Sequence, residues 1–239
     1  ADDPSSMDYL LAEFVAFGVH RIDLSFTDIE PPISWDRSET EIDPGYDRFI
    51  DNLNDQGIAV NYMLHFWDRE ARARGEDLAT PRFKSEEQIQ DFLDYVRLVV
   101  SQFRGRIQYY TIWSEPDYCG DGGIKCIDPA DYIELARRVI PVIREEDPAA
   151  KVALAPLVLF HARDFMATLL ASDVIAMFDV IQWHGTYNVL PDDDFHGSYY
   201  YDYPEIAEDI RRTAAANGAD AEYWATEISL CSVEYDPGC

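Results

Sequence analysis

Apolar positions along this chain follow two alternating rhythms. Stretches with apolar residues three or four apart, the spacing of a helix face, are each followed by a short run that is apolar almost throughout. "SSMDYLLAEFVAFG" (5–18) carries a serine cap and a glycine stop at Gly18. "VHRIDLSF" (19–26) then reads as a strand. The pattern repeats with helix "DPGYDRFIDNLNDQG" (43–57) and strand "IAVNYMLHFW" (58–67), then helix 85–105 and strand "IQYYTIWSE" (107–115). Helix 128–148 precedes strand "KVALAPLVL" (151–159), and helix 161–174 precedes strand "FDVIQWHGTY" (178–187). Helix "YPEIAEDIRRTAAANG" (203–218) and strand "EYWATEISL" (222–230) complete the series.

Six helix-then-strand repeats with strands apolar on both faces imply a parallel sheet with right-handed crossovers. No glycine-rich phosphate turn follows the first strand, which argues against a nucleotide-binding doubly wound sheet and leaves a phosphate-binding protein without support. Polar and aromatic residues gather instead at the strand ends: Asp23 and Ser25, His65 and Trp67, Glu115, His184 and Tyr187, Glu227. A (β/α)8 TIM barrel collects its chemistry at that rim. The expected fold is therefore α/β, a single barrel domain over 1–239. It lacks the first and last strands of the eight, either as a fragment or with its open sheet edges covered by something else.

Composition narrows the partners. A formal charge of −27 over 239 residues, with lysine confined to Lys84, Lys125 and Lys151, repels nucleic acid and anionic membranes. No apolar run is long enough to span a bilayer. Such an acidic, lysine-poor surface suits an extracellular, acid-exposed or salt-adapted protein. Cys119 and Cys126 flank "CGDGGIKC", and Cys231 and Cys239 bracket "CSVEYDPGC". Two short-range disulfides are expected, and with them an oxidising compartment and secretion. Neither spacing suits a zinc site, and no metal or other cofactor is expected. The acidic, tyrosine-rich stretch "PDDDFHGSYYYDY" (191–203) reads as a loop. It could line a substrate cleft or simply cover the rim, and Asp192, Asp193 and Asp194 match no calcium-loop spacing.

Most of the acidic side chains are solvated surface, but Glu115 and Glu227 each close an apolar strand. Alternation counted back from Glu115 puts Trp113, Thr111 and Tyr109 on its face, and from Glu227 it puts Ala225 and Tyr223 there. In a closed barrel the two carboxylates then look across one mouth. A facing pair in an aromatic-lined pocket is the equipment for glycoside hydrolysis, with a separation of ~5–5.5 Å for retention and ~6.5–9.5 Å for inversion. The plainer reading of Glu115 is a rim carboxylate paired with an arginine.

"IWSEPD" (112–117) resembles the Trp-Asn-Glu-Pro signature that ends strand four of clan A glycoside hydrolases, retaining (β/α)8 enzymes. "FGVHRIDLSFTDIEP", "FDVIQWHGTY" and "EYWATEISL" resemble the second, sixth and seventh strand segments of that clan, in order, and families 39 and 5 are nearest in character. The resemblance implies Glu115 as acid/base and Glu227 as nucleophile, acting on a β-linked oligo- or polysaccharide. It implies Arg21 beneath the nucleophile, Tyr187 donating to it, His184 orienting it, and His65 and Trp67 lining the reacting sugar's subsite. Trp113 is a candidate sugar platform, as is Trp224, for which packing between strand and helix is the simpler reading. The family's Asn is replaced by Ser114, whose shorter hydroxyl lacks the amide's reach toward the sugar 2-hydroxyl. That departure keeps open a second reading, a non-catalytic carbohydrate-binding or assembly-forming protein on a glycosidase-derived barrel.

Overall fold

The computed structural model describes residues 4–25, 42, 44–65, 85–118, 127–159, 163–185 and 197–227. All six expected helix–strand repeats are present: α1 (Pro4–Ala16), β1 (Arg21–Leu24), α2 (Pro44–Asp55), β2 (Ala59–Leu64), α3 (Glu86–Gln102), β3 (Tyr109–Ile112), α4 (Pro129–Glu146), β4 (Lys151–Ala153), α5 (Arg163–Leu170), β5 (Val180–His184), α6 (Gly197–Ala216) and β6 (Glu222–Thr226). A 3₁₀ turn, Asp173–Met177, sits between α5 and β5. Local chemistry sets the helix limits. Ser85 and Gln88 exchange side-chain-to-backbone hydrogen bonds at the start of α3. Asp128 caps α4, and Pro129 opens it where its missing N–H costs nothing. Gly18 and Gly57 close α1 and α2 at φ +66° and +71°, backbone angles that a side chain would strain.

The strands form one parallel sheet in the order β1-β2-β3-β4-β5-β6, every neighbour in space being the neighbour in sequence. Outward side chains meet the helices. Tyr62, Leu64, Tyr110 and Ile112 are fully buried, as are Phe92, Val96 and Val99 of α3 and Leu135 and Val139 of α4. Each such Leu, Ile or Phe contributes roughly 1.5–3 kcal/mol by leaving water.

Inward side chains show that the sheet is rolled. Gln182 on β5 donates to Thr111 on β3 (3.0 Å), Thr111 donates to Asn61 on β2 (2.8 Å), and Asn61 donates to Asp23 on β1 (2.9 Å). One chain of hydrogen bonds thus crosses the interior. Below it the edge strands meet: the Arg21 guanidinium of β1 lies 3.5 Å from the centroid of the Trp224 indole of β6. Tyr109 meets the same indole edge-on, with centroids 4.7 Å apart. The described fold is a six-stranded part-barrel with its helices outside.

Two expectations are corrected. Alternation counted from Glu227 put Tyr223 inside, but its hydroxyl donates to the Arg211 carbonyl of α6 (3.4 Å), so it faces the helices. Trp224 is the inward residue, and it packs neither between strand and helix nor at the strand ends where the carboxylates gather. The stretch 191–203 was expected as a loop, yet from Gly197 onward it forms the first turns of α6. There Tyr199 is buried, and Tyr203 accepts a hydrogen bond from the outward Trp183 indole (3.1 Å). Among the described residues no helix is long and apolar enough to cross a membrane.

Candidate active site

Three non-glycine residues among those described have positive φ: Trp113 (+72°), Glu115 (+47°) and Glu227 (+43°). All three lie just past the C-terminal ends of β3 and β6. Such angles cost on the order of 1–3 kcal/mol each, and backbone outliers of this kind concentrate at functional sites. Here their effect is directional. Alternation from Thr111 would aim Trp113 into the interior. The left-handed backbone swings it outward instead, where it is 2% exposed and meets Phe92 of α3 edge-on at 6.1 Å. Trp113 is a core residue with no face to offer a sugar, which corrects its expected role as a platform.

Two residues on, the chain turns back. The Glu115 amide donates to the Pro156 carbonyl (3.2 Å), and a turn led by Pro116 closes with Tyr118 N–H on the Glu115 carbonyl (3.1 Å). At β6, Thr226 already faces inward, and the positive φ at Glu227 lets its side chain reach the same space. His184, the last residue of β5, stands between the two carboxylates. Its Nε2 is 3.0 Å from Glu115 Oε1 and 3.6 Å from Glu227 Oε2. One carboxyl oxygen of each glutamate and one ring nitrogen of His184 all fall within 4.8 Å of one another. The Glu115 side chain is 17% exposed, that of Glu227 57%. The more enclosed carboxyl is the one that the sequence resemblance makes the proton donor.

The other ring nitrogen bears on the proton count. His184 Nδ1 lies 3.3 Å from Thr226 Oγ1, which also lies 3.2 Å from the Trp183 carbonyl. With the hydroxyl proton on Trp183, Thr226 accepts from Nδ1, and either Glu115 supplies the proton of the 3.0 Å contact or the ring is charged; with it on Nδ1, Nε2–H donates to the Glu115 carboxylate. One proton lies between Nε2 and Oε1 in every case.

The remaining expected site residues divide. His65, at the end of β2, has Nδ1 3.4 Å from Ser25 Oγ on the rim. Ser114 is partly buried between Trp113 and Glu115. Arg21 opens β1 at the opposite end of the sheet and stacks on Trp224 of β6. His184 sits closer to Glu115 than to Glu227, the reverse of its expected emphasis. Trp67, Tyr187, the three aspartates 192–194 and all four cysteines (Cys119, Cys126, Cys231, Cys239) lie outside the described residues.

Sequence reasoning passed over Asp117. It is 7% exposed, neither carboxyl oxygen has a hydrogen-bond partner of good geometry among the described residues, and the amides of Val158 and of Asp117 itself approach it without completing one. Burial pushes this carboxyl up from 3.8 to about 6, the neighbouring backbone amides and His184 pulling it down and Glu115 pushing it further up. The available signal was its place, the third position of a proline-led turn that begins at the candidate acid.

In fold the described part-barrel is similar to solved glycoside hydrolases of clan A type, as the sequence resemblance implied. Among solved structures, the chain is similar to a family 39 glycoside hydrolase from the gut symbiont Bacteroides cellulosilyticus WH2 (TM-score 0.61, 19% identity, 95% of this chain and 46% of that one). A glucosidase from Croceicoccus marinus gives TM-score 0.60 and 14% identity over 93% of this chain and 49% of that one. The endo-1,4-beta-mannanase of Rhizomucor miehei gives 0.58 and 13% over 97% and 85%. The chain spans about half the length of the first two. No protein-family profile and no curated protein matches it.

Proposed function

We propose that this protein is a retaining glycoside hydrolase acting on a β-linked glycan. The observation that carries the reading is the approach of the Glu115 and Glu227 carboxyl oxygens to within 4.8 Å. That approach between one oxygen of each supports the ~5–5.5 Å spacing of double displacement over the ~6.5–9.5 Å of an inverting enzyme. Glu227 attacks the anomeric carbon while Glu115 gives its proton to the departing glycosidic oxygen, leaving a glycosyl ester on Glu227. Glu115, now a carboxylate, takes a proton from water. The water oxygen bonds to the anomeric carbon, the ester C–O bond breaks, and both glutamates return to their starting states. His184 holds the Glu115 carboxyl in place through the shared proton.

Closure of the full (β/α)8 barrel by two further strands between β6 and β1 belongs to the same proposal. So does secretion, which the acidic, lysine-poor composition and the two cysteine pairs support. The test is turnover of a panel of aryl β-glycosides by the parent and by Glu227→Ala. The expected result is hydrolysis by the parent, a loss of roughly 10⁴-fold or more in the variant, and partial rescue of the variant by azide. A parent without turnover that still binds glycans would establish the non-catalytic reading instead, for which Ser114 in place of the family Asn is the specific observation.

A further inference from the structure

The turn that presents Glu115 carries a second carboxyl that the reaction above does not use. Asp117 occupies the third position of the Glu115–Tyr118 turn and is 7% exposed. Among the described residues neither of its buried oxygens has a geometrically sound hydrogen bond. Among the described residues the charged groups that act on it are His184 at the end of β5 and Glu115 of its own turn. From the segment after β4 the Val158 main chain approaches it. A structural aspartate in a proline-led turn ordinarily uses its oxygens to satisfy nearby amides. Here the Val158 and Asp117 amides approach it without a bond of good geometry, and its charge is felt by His184 and Glu115.

We propose that Asp117 is a positioning residue for catalysis: its buried charge holds the shared proton on the Glu115–His184 pair, keeping Glu115 supplied as the acid. The proposal rests on the assignment of Glu115 as the proton donor. Its physical content is simple. A negative charge in a poorly solvated setting strengthens proton binding by every group it faces. One proton spans the 3.0 Å contact of Glu115 and His184, so the sign does not depend on which of them holds it. Removing the charge weakens proton binding by the pair. As the pH falls through about 6, Asp117 itself takes up a proton and its influence fades. The effect therefore appears above that pH, where an acid catalyst would otherwise be losing its proton.

The experiment follows the His184 ring nitrogens by NMR against pH in the parent and in Asp117→Asn, with the ring signals assigned by His184→Gln. The expected result is a His184 midpoint at least about half a pH unit lower in Asp117→Asn. The alkaline limb of kcat/KM on an aryl β-glycoside should move the same way. An unchanged midpoint, or activity lowered equally at every pH, overturns the proposal and leaves Asp117 a packing residue. Should Asp117→Asn not fold, Glu115→Gln supplies the reciprocal measurement. The Asp117 carboxyl carbon should then titrate at lower pH than in the parent, and an unmoved midpoint overturns the coupling. A parent without turnover refutes the glycosidase reading alone, since both titrations still decide whether Asp117 and the pair are coupled.

Discussion

Replacing Asp117 by Asn should change the pH dependence of stability in a way that few single substitutions do. The side chain is 7% exposed and neither oxygen is properly hydrogen-bonded among the described residues, so ionising it in the folded protein is costly. Its carboxyl titrates at about 6 in the fold, against an ordinary 3.8 that the unfolded chain restores. Between those values the folded chain keeps a proton that the unfolded chain has released. Stability from this group is therefore full below 3.8 and is lost as the pH rises through about 6. The gap corresponds to a loss of ~3 kcal/mol by pH 8, a large share of a typical net stability of about 5–15 kcal/mol. Asn is nearly isosteric and never ionises. Urea unfolding of parent and variant at pH 4 and pH 8 isolates the effect, because the packing difference between the two side chains is common to both conditions. The variant should gain roughly 2–3 kcal/mol on the parent between the two pH values. Stability differences that agree at both pH values to within about 0.5 kcal/mol would refute the reasoning, and with it the claim that burial of the Asp117 charge outweighs its partners.

Two further outcomes follow from the interior and the rim. Thr111→Val removes the hydroxyl that donates to Asn61 and accepts from Gln182; it should cost ~1–3 kcal/mol by leaving both amides short of a partner, read as a lower urea midpoint at unchanged slope. Ser114→Asn restores the amide that clan A enzymes carry before the acid, and should raise kcat/KM on glycosides with a free 2-hydroxyl by about tenfold or more while leaving 2-deoxy substrates unaffected.

How far the sequence could be read depends on what each inference assumes. Helix and strand positions follow from apolar spacing, and all six repeats stand where the rhythm puts them, because caps such as Ser85 and stops such as Gly57 are local. Glu115 and Glu227 could be paired because each interrupts an apolar run, and interruption is visible in one dimension. The errors arose where alternation was carried past the end of regular backbone. Trp113 and Glu227 have left-handed φ, so counting by twos placed the Trp113 indole inside, and counting back from Glu227 exchanged Tyr223 with Trp224. The α6 start was missed because three consecutive tyrosines do not announce a helix, and their fit depends on packing such as the Tyr203–Trp183 bond. Asp117 was passed over for another reason. In a chain with 46 acidic residues nothing local marks the one that is sealed from water.

Strictly sequential pairing, each strand lying beside its predecessor, has a consequence for how the molecule is assembled. Every sheet contact forms between segments separated by one helix, so loop-closure costs stay small and each helix–strand unit has a template ready when it emerges during synthesis. The Glu115 turn and His184 can dock once β5 is in place, but Glu227 arrives only with β6. On the roles proposed above, the reacting pair is complete only once β6 has joined, and folding intermediates that lack β6 have no nucleophile opposite the acid. A time-resolved experiment that follows tryptophan burial and capture of a mechanism-based glycosyl inhibitor would see the two signals separate, burial first.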